Sequence, residues 1–173
     1  AGPPRVDIIR CNSVDKLRIV GVSPQSVWLG THFVKGKTIP CFRSRCPFCG
    51  YFRQPKWKGY LLCINSKKVL KICELTVGAW GYLTSTLGDT PDFRGTEIHL
   101  WREKPYKNAP IIAEVAGHWP SEKLPQNFDI RPQLEELWQN SCGELEDDYP
   151  EMKEIWNDPD FNLFQIPTGE GDR

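Results

Sequence analysis

The sequence predicts a mainly β chain with short helices, of the α+β class, and three observations point there. Several apolar runs of strand length are bounded by Gly, Pro, Asn and Ser. Two pairs of runs are joined by turn-type residues, and a single stretch with helical signals lies between those pairs. In order, Leu17 to Val22 reads as a strand interrupted by Arg18, and Ser26 to Val34 as another. Gly36 between Lys35 and Lys37 marks a turn. A cysteine cluster, Cys41 to Gly50, follows between Pro40 and Pro55. Tyr60 to Ile64 and Val69 to Thr76 form a strand pair around the turn residues Asn65 to Lys68. Val77 to Leu87 reads as a helix that ends at Gly88, the residue type that most readily ends a helix. Gly95 to Trp101 and Ile111 to Ala116 make a second strand pair around Pro105 to Pro110. Pro132 to Gln139 reads as a helix with proline in its first turn and Leu134, Leu137 and Trp138 on one face.

These elements fit an OB-like small barrel with the cysteine-rich loop inserted between early strands, and an open sheet fits the periodicity nearly as well. The expected organisation is an N-terminal arm over 1–16 and a nucleic-acid-binding OB-like domain over 17–140 with a zinc element at 28–63. An acidic tail follows over 141–173. No internal repeat is visible.

The formal net charge is zero, but the charges are segregated. Residues 1–133 hold 20 Lys+Arg and 10 Asp+Glu, and residues 134–173 hold 2 and 12. Between Asp15 and Glu74 there is no acidic residue, while twelve Lys or Arg occur there. A solvated face ordinarily mixes both signs, so a single-sign stretch of this length points to a polyanionic partner. No apolar run approaches the roughly 18 to 20 residues needed to span a bilayer, and the start lacks the pattern of a signal peptide. Seven cysteines, an odd number unevenly spread, suit metal ligation better than a disulfide framework. The expectation is a cytoplasmic protein with no membrane partner.

Cys46-Pro47-Phe48-Cys49-Gly50 is the most specific motif. Two thiolates separated by two residues chelate one Zn²⁺ from a single tight turn, and the glycine after them tolerates the backbone geometry that turns amides toward sulfur. Cys41 is the nearest third ligand. The fourth is His32, at the end of a strand, or Cys63 in the apolar run Leu61-Leu62-Cys63-Ile64, where a core cysteine is the ordinary explanation. His32 is preferred. Cys11, Cys73 and Cys142 read as isolated buried thiols. A catalytic zinc needs an open position and a nearby general base. Residues 16–73 contain no carboxylate, so the expected Zn²⁺ is structural and the chain is not an enzyme.

Aromatic and basic residues interleave around the ligands. Arg43, Arg45, Tyr51, Phe52, Arg53, Lys56, Trp57 and Lys58 lie here, with Phe42, Phe48 and Tyr60. A metal loop has little core of its own, so its rings are expected to be partly exposed, with packing of Phe48 and Tyr60 an even alternative. Exposed rings beside cations suit single-stranded nucleic acid, whose bases stack while cations follow the phosphates. Trp57 is the foremost stacking candidate, and Trp101, Arg102 and Tyr106 extend the surface on the later hairpin. In the acidic tail, Tyr149, Trp156, Phe161 and Phe164 stand among carboxylates. Such a segment recruits partner proteins or occupies a basic groove.

The order His32, Cys41, Cys46, Cys49 resembles phage-type single-stranded DNA-binding proteins, notably those of the T-even phages. These carry an OB fold with a zinc subdomain of one His and three Cys. Gly95 to Arg102, with the following turn and strand, is similar to a strand pair of that family, as is the acidic C-terminus. The resemblance spans about residues 17–118 in pattern. It implies a non-catalytic single-stranded DNA-binding protein of a phage, plasmid or other mobile element, serving DNA replication or recombination. Replication or recombination proteins would be recruited by the acidic tail. The alternative is a zinc-ribbon adaptor binding RNA or a nucleoprotein machine.

Overall fold

The computed structural model describes residues 4–50 and 53–164. The chain divides into two compact units, Ala1–Trp28 with Lys58–Asp129, and Leu29–Trp57 with Ile130–Arg173. Each is described by itself.

The first unit is built on strands β1 (Asp7–Ile9), β2 (Leu17–Gly21), β5 (Lys56–Asn65), β6 (Leu70–Thr76), β7 (Thr96–Arg102) and β8 (Ile111–His118). Their order is β1-β6-β5-β2-β7-β8, an open path with β1 and β8 at its two ends. The β1/β6 pair is parallel and the pairs β6/β5, β5/β2, β2/β7 and β7/β8 are antiparallel. The mainly β, α+β reading holds; closure into an OB-like barrel is not among the described pairings. The expected N-terminal arm over 1–16 contributes β1, whose Ile8 and Ile9 stand opposite Ile72 and Cys73 of β6. Those three residues are too short and polar-flanked to signal a strand by themselves.

Helix α1 (Val77–Leu87) occupies the span its sequence indicates. The Thr76 hydroxyl caps its start by accepting from the Ala79 amide at 3.2 Å, and Gly88 ends it at φ 93°. Ala79 and Leu83 of α1 pack with Ile19, Leu61, Cys63, Cys73, Leu75, Phe93, Ile98 and Leu100 into one buried cluster. Glu74, nearly buried, accepts from Arg10 Nε at 3.1 Å, Lys58 Nζ at 3.2 Å and the Tyr60 hydroxyl at 3.1 Å. Burial, and then the Glu74 charge, hold the Tyr60 phenol well above its ordinary range.

Gly21 of β2 faces the backbone of Phe93, and a Cβ built there would lie 2.0 Å from the Phe93 carbonyl oxygen. Both partners are backbone, so neither can yield cheaply. Gly21→Ala is expected to destabilise the chain by about 1–3 kcal/mol or more, read as a drop in the thermal midpoint. An unchanged midpoint would contradict the close approach.

In the second unit, β3 (Val27–Val34) and β4 (Lys37–Pro40) form a hairpin. Its turn places Lys35 at φ 48° and Gly36 at φ 80°, the paired positive values of a primed turn. Helices α2 (Arg131–Gly143) and α3 (Glu151–Asn157) follow from the far end of the sequence. The α2 helix is longer than expected, and its buried face is Leu134, Trp138 and Cys142, spaced by four; Leu137 falls off that face and is 40% exposed. Pro150 caps α3 and Pro159 follows its end, so the acidic segment forms two short helices separated by a turn. Val34, Ile39, Phe42 and Phe48 share one buried cluster with Cys142, Leu145, Met152 and Ile155. The described part of the expected tail over 141–173 is therefore a structural half of this unit.

Candidate metal centre

The β3–β4 register builds the site. His32 stands opposite Ile39, and Cys41 lies two residues beyond Ile39, so His32 and Cys41 project from the same hairpin face. The Cys41 amide donates to the Gly30 carbonyl at 2.8 Å, which fixes that end. A single turn of 3-10 helix, Arg43–Arg45, then reverses the chain and delivers Cys46 and Cys49. The ligand atoms of His32, Cys41, Cys46 and Cys49 all lie within 4.8 Å of one another. Among the described residues this is the one Cys/His cluster of that kind.

The spacing matches a tetrahedral ion. Zn–S of about 2.3 Å and Zn–N of about 2.0–2.1 Å at tetrahedral angles put sulfurs about 3.8 Å apart and sulfur about 3.6 Å from nitrogen. Cys49 Sγ lies 3.4 Å from Cys41 Sγ and 3.5 Å from His32 Nε2. A disulfide would need about 2.05 Å, and all three cysteines are free thiols. The donor set asks for a cation on electrostatic grounds as well. Cys46 is pulled down to about 5, first by the Cys41 thiol that hydrogen-bonds to it, then by backbone hydrogen bonds at Phe42 and Phe48 and the His32 charge. Cys41 is driven up by that same hydrogen bond and by burial, and Cys49 is raised by burial. One thiolate forms readily and two resist, so three thiolates together call for a dication among them. These four residues can hold a metal ion.

Cys63, the other candidate for the fourth ligand, sits in the core of the first unit, where burial pushes its thiol up to about 12 and its S–H points to the Lys71 carbonyl at 3.4 Å. His99 lies between Glu97 at 2.7 Å and Glu114 at 3.3 Å, on opposite ring nitrogens, an arrangement that cannot close on one ion.

Phe42, expected to be partly exposed, is inside, and Phe48 and Tyr60 take the packed alternative. Phe42 lies against Trp156 at 5.6 Å and Phe161 at 5.9 Å, and Phe48 against Tyr149 at 4.5 Å. The loop lacks a core of its own, and the C-terminal helices supply one. The same segment engages the nearby cations. Lys35 pairs with Asp148, Lys37 with Glu144, and Arg45 with Asp158 at 2.6 Å. Arg43 donates to the Asn162 carbonyl at 2.5 Å and lies over the Phe161 ring at 5.9 Å.

The remaining candidate surface residues separate cleanly. Tyr51 and Phe52 lie outside the described residues. Arg53 and Lys56 are exposed and make no ion pair among the described residues, and Trp57 beside them is 55% exposed. Phe33, which the sequence reading did not single out, is 67% exposed in the same unit, although strand alternation places it on the face of the buried Leu29 and Thr31. In the first unit, Lys58 is engaged by Glu74 and Trp101 lies half-buried under Lys16 at 4.9 Å. Arg102 clamps the carbonyls of Cys11 at 3.2 Å and Ala109 at 2.6 Å, a structural duty that removes it from a free surface. Tyr106 is exposed.

No helix of the described residues is long and apolar enough to cross a membrane. Comparison with protein-family models, with curated proteins and with solved structures returns no match for this chain.

Proposed function

We propose that the chain is a non-catalytic zinc protein that binds single-stranded nucleic acid, DNA in the first instance, through the surface carrying Arg53, Lys56 and Trp57. The observation that carries this reading is the exposed Trp57 indole, flanked in sequence by cations of which Lys56 has no counter-charge among the described residues. An indole left in water beside free cations gains on binding from both terms that single strands offer. A base stacked on it contributes about 1–3 kcal/mol, and each neutralised phosphate releases counterions. Zinc is the metal that suits three thiolates and an imidazole, and four protein donors complete its shell, so its role is to hold the loop. The resemblance to phage-type single-stranded DNA-binding proteins supports the same reading. With it comes a setting in replication or recombination of a mobile element, with exposed Asp147, Glu151 and Glu154 meeting partner proteins.

The test is a titration of the full chain with a labelled single strand, the matching duplex and an RNA of the same sequence, at several salt concentrations. Single-stranded DNA is expected to bind tightest. Trp57→Ala should weaken it by roughly 5- to 150-fold, the equivalent of one lost stack. Arg53→Ala should flatten the salt dependence by about 0.7 in log–log slope. Affinities for all three ligands that neither variant alters would refute the reading, whereas tightest binding to RNA would favour the adaptor.

A further inference from the structure

We propose that the metal centre is also an oxidant-sensitive switch, in which peroxide acts on Cys49 and Cys41 closes a disulfide with it, expelling the metal. The proposal rests on the reading of these residues as zinc ligands. The four ligands differ sharply in access: His32 is buried, Cys41 and Cys46 are half-buried, and Cys49 is exposed. A peroxide arriving from solvent therefore meets the Cys49 sulfur first. Oxidation of thiols follows access and thiolate character, and metal ligation supplies the thiolate.

The resolving partner is already in place. Cys41 Sγ touches Cys49 Sγ at 3.4 Å, so closing to a bond of about 2.05 Å needs a movement of little more than 1 Å. Cys46 takes two backbone hydrogen bonds, at Phe42 and Phe48, where Cys41 takes one, at Arg43, so Cys41 has less to give up in moving toward Cys49. The other four cysteines, Cys11, Cys63, Cys73 and Cys142, are buried and so are shielded from the oxidant.

The chemistry balances with hydrogen peroxide as the oxidant. The Cys49 thiolate attacks one peroxide oxygen; an S–O bond forms, the O–O bond breaks and hydroxide leaves. The Cys41 thiolate then attacks the resulting sulfenic sulfur; the S–S bond forms, the S–O bond breaks and a second hydroxide leaves. Two sulfurs have together lost two electrons and peroxide has gained them. His32 and Cys46 alone cannot fill a tetrahedral shell, so the ion departs. Arg53, Lys56 and Trp57 follow Cys49 closely in the chain, the last two at the start of β5.

The experiment uses the full-length chain purified without chelator, its zinc content measured first. Zinc-loaded protein is treated with hydrogen peroxide beside a chromogenic zinc indicator, and its disulfides are then mapped by fragmentation mass spectrometry. The expected result is release of the bound zinc, an intact mass lower by two hydrogens and a Cys41–Cys49 link. Dithiothreitol with added zinc should reverse all three. Retained zinc, a link to Cys46 or Cys142, or release with sulfinic acids and no disulfide would each overturn the switch. A protein that carries no zinc before peroxide is added sinks the metal reading itself, and that failure is visible in the first measurement.

Discussion

Stripping the metal with a chelator is expected to collapse the second unit while leaving the sheet of the first in place. Each unit has its own buried cluster, and the cluster around Phe42 and Phe48 is threaded through the ligand loop. A metal that binds the folded state alone stabilises it by mass action, by about 4 kcal/mol at 1,000 times its dissociation constant. For a unit of this size about 4–8 °C follows each kcal/mol, so the midpoint of the second unit should fall by roughly 16–32 °C. The near-ultraviolet signal of Trp156, whose ring lies against Phe42 and Phe161, should fade with it. Cys46→Ser should reproduce the loss even in excess zinc, because it removes the thiolate that forms most readily. Acidification should act in the same direction. Cys41 and Cys49, both raised above the ordinary thiol range, already hold their protons at neutral pH when no metal is bound, so metal affinity declines from alkaline pH downward and keeps falling through neutrality. Full zinc content and an unchanged midpoint in Cys46→Ser would remove that residue from the site.

The local signals were legible in the sequence and the long-range ones were not. The α1 helix is announced by its stop at Gly88 and the β5–β6 hairpin by Asn65 to Lys68, whereas Thr76, which caps α1, read only as the end of the strand before it. The metal cluster was legible because its chemistry is local, three cysteines in a span of nine residues with a histidine on the preceding strand. Its fourth member was settled by register, since only the pairing of His32 with Ile39 brings it to the face of Cys41. What stayed hidden was what covers the loop. Leu145, Met152 and Ile155 lie about a hundred residues from the loop in a stretch dominated by carboxylates, and composition reads such a stretch as solvated. Their spacing carries the missing signal: three apolar positions at intervals of seven and three, within a few turns of chain, make a face that needs a partner. The same oversight spread to the charges. Lys35, Lys37 and Arg45 looked like part of a free polyanion surface, yet their counter-ions come from the segment that carries those apolar residues.

Met152→Asp is expected to release the metal although it lies far from every ligand in sequence. Met152 is fully buried in one cluster with Phe42, Phe48 and Ile155, and replacing it removes that packing and places a carboxylate among apolar side chains. Truncating a buried Met costs about 2–5 kcal/mol, and an unpaired buried charge puts the result at or above the top of that range. The ion pairs around the same segment are a different matter. They sit at the surface, where solvent and salt screen them, so Asp158→Asn should leave zinc content unchanged and shift the midpoint little. The contrast decides how the acidic segment acts. If apolar packing holds it, Met152→Asp loses zinc and second-unit protection from hydrogen exchange, while high salt has little effect on the parent chain. If charge holds it, salt strips the segment and Asp158→Asn weakens it, with Met152→Asp no worse. The geometry favours packing, because Phe42 and Phe48 flank the ligands on one side and α3 on the other, so the ring that steadies the metal loop is the ring that Met152 covers.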